Sequence, residues 1–104
     1  MATGTLAKPV VNITEMGISI PTGSDLNSYI TPGRYYASSA AGITNTPEGV
    51  STYSNTAFDL IVMQRATASR VWQIMFVYKA STSPEMWFRV QNGATTFSSW
   101  IKAA

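Results

Sequence analysis

The dipeptide Asn92-Gly93 lies near the end of the chain, between two runs of aromatic, β-branched and polar residues. Asn and Gly tolerate the positive φ angles of a type I′ turn, so this pair predicts a tight β-hairpin. A two-residue loop would place Phe88 directly opposite Phe97, as an aromatic cross-strand pair. The sequence therefore predicts that the chain ends in two antiparallel strands.

Side chains alternate between the two faces of a strand, so this register divides the hairpin into two surfaces. The surface expected to face the core consists of Met86, Phe88, Val90 and Phe97. The surface expected to be exposed consists of Trp87, Arg89 and Trp100. An exposed group of aromatic rings around a guanidinium is suited to contact with a ligand or another protein surface.

Two further segments alternate in the same way. Strands are predicted from Phe58 to Gln64 and from Arg70 to Lys79, with another over residues 34–39. In the longest strand one face carries Trp72, Ile74, Phe76 and Tyr78, and the other carries Val71, Gln73, Met75 and Val77. Both faces are apolar, so we expect both to be covered, either by a second sheet or by another copy of the chain. The expected fold is an all-β, small antiparallel β-sandwich-like domain of five to seven strands.

The first 24 residues contain no aromatic residue and are interrupted by Pro and Gly. They are interpreted as a short extended N-terminal arm or stem (1–24) ahead of a β domain (25–104), with a first strand of the same domain as the equal alternative. Residues 24–30 are the one plausible helical turn, capped by Ser24 or Asp25. Residues 40–56 are predicted to form a long loop that contains Tyr53.

Composition excludes several functions. The 104 residues favour one domain, and they include no Cys and no His, so disulfides, thiolate metal sites and histidine chemistry are absent. The net charge is +2 with scattered basic residues, which argues against nucleic acid as a partner. No signal peptide and no membrane span is apparent, which predicts synthesis in the cytoplasm and no membrane insertion. No cofactor is expected.

Catalysis is not expected either. The five acidic residues show no pairing pattern of the kind that glycoside hydrolysis requires, although a close carboxylate pair in an open cleft would support a hydrolase. The segment from Ser99 to Lys102 matches the Ser-x-x-Lys pattern of acyl-transfer enzymes, but that chemistry needs a helix and this stretch is predicted to be a strand. The chain is therefore predicted to be a non-enzyme.

The aromatic residues support a binding hypothesis. Trp87, Arg89 and Trp100 are the candidate platform for a sugar ring, and the alternative is that they pack against a neighbouring loop or subunit. Tyr53, with Tyr35 and Tyr36, is a candidate for a second shallow site. A free-standing carbohydrate-binding module is thus one possible function.

Taken in order, a set of short motifs resembles the knob domain of bacteriophage tail fibres and of R-type pyocin fibres. The resemblance covers about residues 25–102. The matching elements are Asp25-Leu26-Asn27, Thr31-Pro32-Gly33, Tyr35-Tyr36, Asn45-Thr46-Pro47, Phe58-Asp59-Leu60-Ile61-Val62, Arg70-Val71-Trp72-Gln73-Ile74, Trp87-Phe88-Arg89, Asn92-Gly93 and Phe97-Ser98-Ser99-Trp100.

This resemblance implies a small, non-catalytic β domain on a trimeric fibre of the virion tail. It implies a homotrimer that serves as a structural module or as a binder of the host surface, with other tail proteins as partners and a host-surface polysaccharide as the candidate receptor. Members of this family are modules of long fibres, whereas this chain is a single module with a short arm. It is therefore expected to be a fragment or a small accessory tail protein. The resemblance carries no fixed set of sugar-binding residues to this sequence.

Overall fold

The computed structural model describes residues 17–51, 56–64, 70–79, 84–92 and 96–103. Over these residues the fold is all-β, as the sequence predicts, with six strands in one sheet and a single 3₁₀ turn. The strands are β1 (Ile18–Ser19), β2 (Gly33–Ala37), β3 (Thr56–Gln64), β4 (Val71–Lys79), β5 (Glu85–Val90) and β6 (Ile101–Lys102), and the 3₁₀ turn is Leu26–Ser28.

The strands lie in the sheet in the order in which they occur along the chain. The β1–β2 pair is parallel, and the other four pairs are antiparallel. Strands β3 and β4 form the centre of the sheet, with nine cross-strand residue pairs from Thr56↔Lys79 to Gln64↔Val71. None of the helical structure in the described ranges is long or apolar enough to cross a membrane.

The alternation predicted for the central strands is confirmed. Val71, Gln73, Met75 and Val77 of β4 are buried, while Trp72, Phe76 and Tyr78 are exposed. In β3, Phe58, Leu60 and Val62 are buried in the same way. One face of the sheet therefore carries the hydrophobic core, and the opposite face, called here the outer face, does not.

Irregular segments cover the core face over the described residues, in the position that a second sheet would occupy in a sandwich. This covering layer comprises residues 20–32, 38–50 and 97–100. Its apolar side chains that join the buried cluster are Ile20, Leu26, Ala40, Ile43 and Val50, with Tyr29, Phe97 and Trp100 packed at its margin. The predicted helical turn is confirmed as the 3₁₀ turn, where the carboxylate of Asp25 accepts a hydrogen bond from the backbone N–H of Asn27 at 2.8 Å.

The last part of the predicted arm belongs to the sheet. Strand β1 pairs with β2 through Ile18↔Tyr35, and Ile20 is 4% exposed within the core. Gly17 has φ +101°, and a Cβ atom at this position would lie 2.7 Å from the carbonyl oxygen of Arg34. Residues 17–20 thus follow the alternative of a first strand. Residues 1–16 lie outside the described residues, so an arm there stays a prediction.

The predicted register of the terminal hairpin is wrong. Phe88 pairs with Ile101, and Gln91 forms a bridge with Phe97. The segment enclosed by that bridge runs from residue 92 to residue 96, and Gly93, Ala94 and Thr95 lie outside the described residues. The backbone N–H of Asn92 donates to the carbonyl of Thr96 at 2.8 Å, so the loop is longer than the two residues that the Asn-Gly signal favours.

The predicted core and surface faces of β5 are interchanged. Arg89 is 5% exposed and belongs to the covered face together with Trp87, whereas Met86 is 38% exposed on the outer face. Phe97 lies with Arg89 rather than with Phe88. The cause is the β4–β5 register, which pairs Gln73 with Arg89 and so gives both the same face.

Candidate functional site

The candidate site is built around Arg89 in β5. Its cross-strand partner is Gln73 of β4, whose side chain is fully buried. The Arg89 Nε–H donates a hydrogen bond to Gln73 Oε1 at 2.8 Å. A buried charged donor with an amide acceptor is among the stronger hydrogen bonds of a protein interior.

Gln73 also connects the sheet to the covering layer. Its Nε2 donates to the carbonyl oxygens of Leu26 at 2.8 Å and Tyr29 at 2.9 Å. These carbonyls lie in and directly after the 3₁₀ turn, and that of Leu26 also accepts the backbone N–H of Tyr29 at 3.1 Å. One side chain therefore holds the turn against β4 and fixes the guanidinium of Arg89.

Two aromatic rings of the covering layer lie against Arg89. The guanidinium carbon is 4.0 Å from the centre of the Phe97 ring and 4.6 Å from that of Trp100. The indole N–H of Trp100 donates to the carbonyl of Asn45 at 2.9 Å, which ties the end of the chain to the 38–50 loop. Each cation–π contact of this kind contributes about 0.5–2 kcal/mol, with the higher values in desolvated positions.

Asn45 lies next to these rings and is hydrogen-bonded to Asp25. Asn45 has φ 62°, a left-handed conformation that Asn adopts more readily than most residues. Its amide Nδ2 donates to Asp25 Oδ1 at 2.7 Å, and that oxygen also accepts from the backbone N–H of Asn27. These two hydrogen bonds, the first being the stronger cause, hold the pKa of Asp25 below its usual range.

One donor of Arg89 is unused. Its Nη2 is buried and has no hydrogen-bond partner among the residues that the structure describes. No carboxylate in this part of the chain forms an ion pair with Arg89, and Asp25 contributes at longer range. Burial lowers the pKa of Arg89 to about 10, so the group is cationic at neutral pH. A buried cation with an unpaired N–H is costly, which is a condition that an anion would relieve.

Arg89 lines an open cavity of about 420 Å³ between the end of the sheet and the covering layer. The described lining residues are Asn27, Asn45, Thr46, Arg89, Thr96, Phe97, Ser98, Ser99 and Trp100. Hydroxyl and amide side chains predominate, and none of these residues is acidic. The cavity is thus a polar, cationic recess with two aromatic walls, within the size range of small-ligand sites.

The predicted site residues separate in the structure. Arg89 and Trp100 line the cavity together, but Trp87 does not. The indole of Trp87 donates to Glu85 Oε1 at 3.0 Å, in a cluster where Glu85 also pairs with Lys79 at 3.1 Å and Lys102 at 3.3 Å. Tyr53 lies outside the described residues.

The proposed companions of Tyr53 do not form one site. Tyr35 is buried, and its hydroxyl donates to the carbonyl of Thr31 at 2.7 Å. Tyr36 lies on the other side of β2 and lines a hollow of the outer face. The tyrosine cluster is therefore divided between the core and the outer face.

Sequence reasoning did not assign Gln73, Asn45 or Phe97 to a site. A signal existed for Gln73, which is the single polar residue on the buried face of β4 between Val71 and Val77. A lone amide within an apolar alternation indicates a buried hydrogen-bond network. Asn45 carries no comparable signal, because its role depends on the position of Trp100, 55 residues away.

Comparison with known protein families, with curated proteins and with solved structures gives no match for this chain. Within the described ranges no group of three or more acidic side chains is arranged to hold a metal ion. The site is therefore interpreted from its own geometry.

Proposed function

We propose that this chain is a non-catalytic domain of a bacteriophage tail fibre that assembles as a homotrimer and attaches the virion to the host surface. The ordered motifs from Asp25 to Trp100 support this assignment, and the all-β fold is the class that the resemblance implies. The observation that carries the homotrimer is the composition of the outer face.

The outer face is mostly apolar across three neighbouring strands, and its charged exception is Asp59, which lies opposite Phe76. Exposed side chains include Phe76 at 43%, Tyr78 at 61% and Met63 at 46%. Cross-strand pairing makes the strip continuous, since Trp72 lies between Met63 and Val90, and Phe76 pairs with Met86. A contiguous apolar surface on a folded protein indicates an interaction site rather than a solvated face.

Sister copies are the occupant that we assign to this surface. Closed rotational symmetry lets a chain with few charges cover such a face with identical subunits. A hollow of about 330 Å³ on the same side, lined by Tyr36, Phe76 and Tyr78 with Arg34 and Asp59 at its rim, offers a place for a side chain of the next copy. In this arrangement the Arg89 cavity lies on the covered side of the sheet and stays accessible.

Light scattering on the full chain tests the assembly. We expect a mass of about three chains of 11.3 kDa each. Replacing Phe76 and Tyr78 by Ser should give a monomer with an unchanged β-type circular dichroism spectrum. The control is Ile30→Ser, which removes a side chain of similar exposure (46%) from outside the sheet and should leave the trimer intact. A wild-type monomer at micromolar concentration contradicts the proposal.

A carbohydrate-binding module is the second candidate, and the Arg89 cavity favours it. Stacked aromatic residues beside a cation and several hydroxyl and amide groups are suited to a sugar. The cavity brings together Arg89 and Trp100 of the predicted platform and replaces Trp87 by Phe97. Both candidates hold together if the fibre attaches to a surface polysaccharide. Replacing Trp100 by Ala should abolish glycan binding while the circular dichroism spectrum is retained.

A further inference from the structure

We infer that the Arg89 cavity binds the carboxylate of an acidic sugar residue, a monosaccharide unit whose ring carries a carboxyl group. This inference rests on the proposed attachment to a surface glycan and names the chemical class of that glycan. It follows from the unused donor, from the charge of the recess and from the hydroxyl-rich lining.

Arg89 has a hydrogen-bond donor that no described residue satisfies. Arg89 uses Nε to hold Gln73, and its Nη2 remains buried without a partner in the part of the chain that the structure describes. Arg89 lines the cavity, and its guanidinium is held in place because Nε–H donates to Gln73 and the group lies over the rings of Phe97 and Trp100. A carboxylate has the geometry and charge that satisfy such a fixed guanidinium edge.

The charge of the cavity favours an anionic group. None of the described residues that line the cavity is acidic, and the two ion pairs that the structure records both belong to Glu85. Asp25, whose negative charge acts on Arg89 at longer range, accepts hydrogen bonds from Asn27 and Asn45 and does not line the cavity. An anionic group entering the cavity therefore meets the cation of Arg89 with no carboxylate among the described lining residues.

The hydroxyl and amide lining of the cavity favours a sugar over a simple anion. Thr46, Thr96, Ser98 and Ser99 supply hydroxyl groups, and Asn27 and Asn45 supply amides, around a volume of about 420 Å³. Such groups both donate and accept hydrogen bonds, which is what ring hydroxyls require. A bare carboxylate would use Arg89 and leave this lining unmatched.

The test compares methyl glycosides of glucuronic, galacturonic and N-acetylneuraminic acids with neutral counterparts in which the carboxylate is reduced or absent. Calorimetric titration of the full chain should show the best acid binding about 10- to 100-fold more tightly than its neutral partner, the effect of one charge-assisted hydrogen-bonded contact. N-acetylalanine, which has a carboxylate and no sugar ring, should bind more weakly than that acid.

Two variants locate the site. Arg89→Lys keeps a positive charge but loses the planar guanidinium. It should lower the affinity for the acidic sugar to that for the neutral sugar. Ser99→Glu places a carboxylate at an exposed lining position, where the Ser99 side chain makes no hydrogen bond to the described residues, and should weaken binding without unfolding the chain. Its matched control is Ser19→Glu, an exposed position in β1 outside the cavity lining, which should bind as the wild type does.

Each outcome decides the inference. Equal binding of acidic and neutral sugars leaves glycan attachment in place and overturns the carboxylate. Binding of N-acetylalanine as tight as that of the best acid overturns the sugar and indicates a peptide carboxylate. If no glycoside binds, both the inference and the glycan attachment fail, while the trimer is judged separately by its mass. Loss of binding in Ser19→Glu as well as Ser99→Glu would remove the cavity as the site.

Discussion

Gln73 is the position where one substitution tests how the covering layer and Arg89 are held. Replacing it by Met keeps nearly the same side-chain length and leaves no large void. It removes one hydrogen bond from Arg89 and two to the backbone carbonyls of Leu26 and Tyr29. With about 1.5–3 kcal/mol for the charged bond and about 0.5–1.5 kcal/mol for each of the two neutral ones, we expect a loss of about 2.5–6 kcal/mol in the free energy of unfolding.

Urea unfolding followed by tryptophan fluorescence measures this loss, with both proteins at the same concentration because assembly adds to apparent stability. The melting temperature should fall by roughly 10 °C or more for a domain of this size. The control is Gln64→Met at the exposed end of β3, where the same substitution should change the free energy of unfolding by no more than about 0.5 kcal/mol. A loss below about 1 kcal/mol for Gln73→Met would refute the role assigned to this amide.

Substitutions at three further positions test the core, the cap of the 3₁₀ turn and the Glu85 cluster. Leu60→Ala, in the fully buried centre of β3, should lower the free energy of unfolding by about 2–5 kcal/mol in urea, and a loss below about 1 kcal/mol would place the core elsewhere. Asp25→Ala removes the cap of the 3₁₀ turn and should lower stability by about 1 kcal/mol, whereas Asp25→Asn keeps an acceptor and should lose less by thermal melting. The hydrogen bond from Trp87 and the two lysines hold the pKa of Glu85 below 4.5, so its stabilisation is present above that pH and is lost as the pH falls through the lower folded value. Glu85→Gln should therefore show a smaller drop in urea midpoint between pH 6 and pH 3 than the wild type, and equal drops would contradict the assignment.

The central strands were predictable from sequence because their alternation is long and regular. Val71 to Val77 place four side chains on one face, and the burial of each follows that period. The same pattern did not identify which face of the neighbouring strand is covered. Met86, Phe88 and Val90 are as apolar as a core strand requires, and they line the outer face instead.

The site was predictable only in part. The prediction that Arg89 and Trp100 share a face agrees with their contact, and that face is the covered one. The burial of Arg89 was not foreseen, because Arg is rarely buried unless it is paired. Its partner Gln73 is assigned only when the β4–β5 register is known, and the Asn92-Gly93 signal favoured a shorter loop and a different register. The face on which Arg89 lies therefore depends on the pairing of β5 with β4, and the local turn signal at Asn92-Gly93 does not specify it.

The central claim is that Arg89 is a ligand-binding cation and not only a support for Phe97 and Trp100. The direct measurement is the nitrogen-15 NMR spectrum of the arginine side chains, with Arg89→Lys assigning the Arg89 signal, during titration with the tightest-binding acidic methyl glycoside and its neutral partner. We expect the Arg89 Nε–H resonance to shift with the acid alone and to saturate with the calorimetric affinity. A resonance that stays unchanged at saturation, or that shifts equally with both sugars, would contradict the claim.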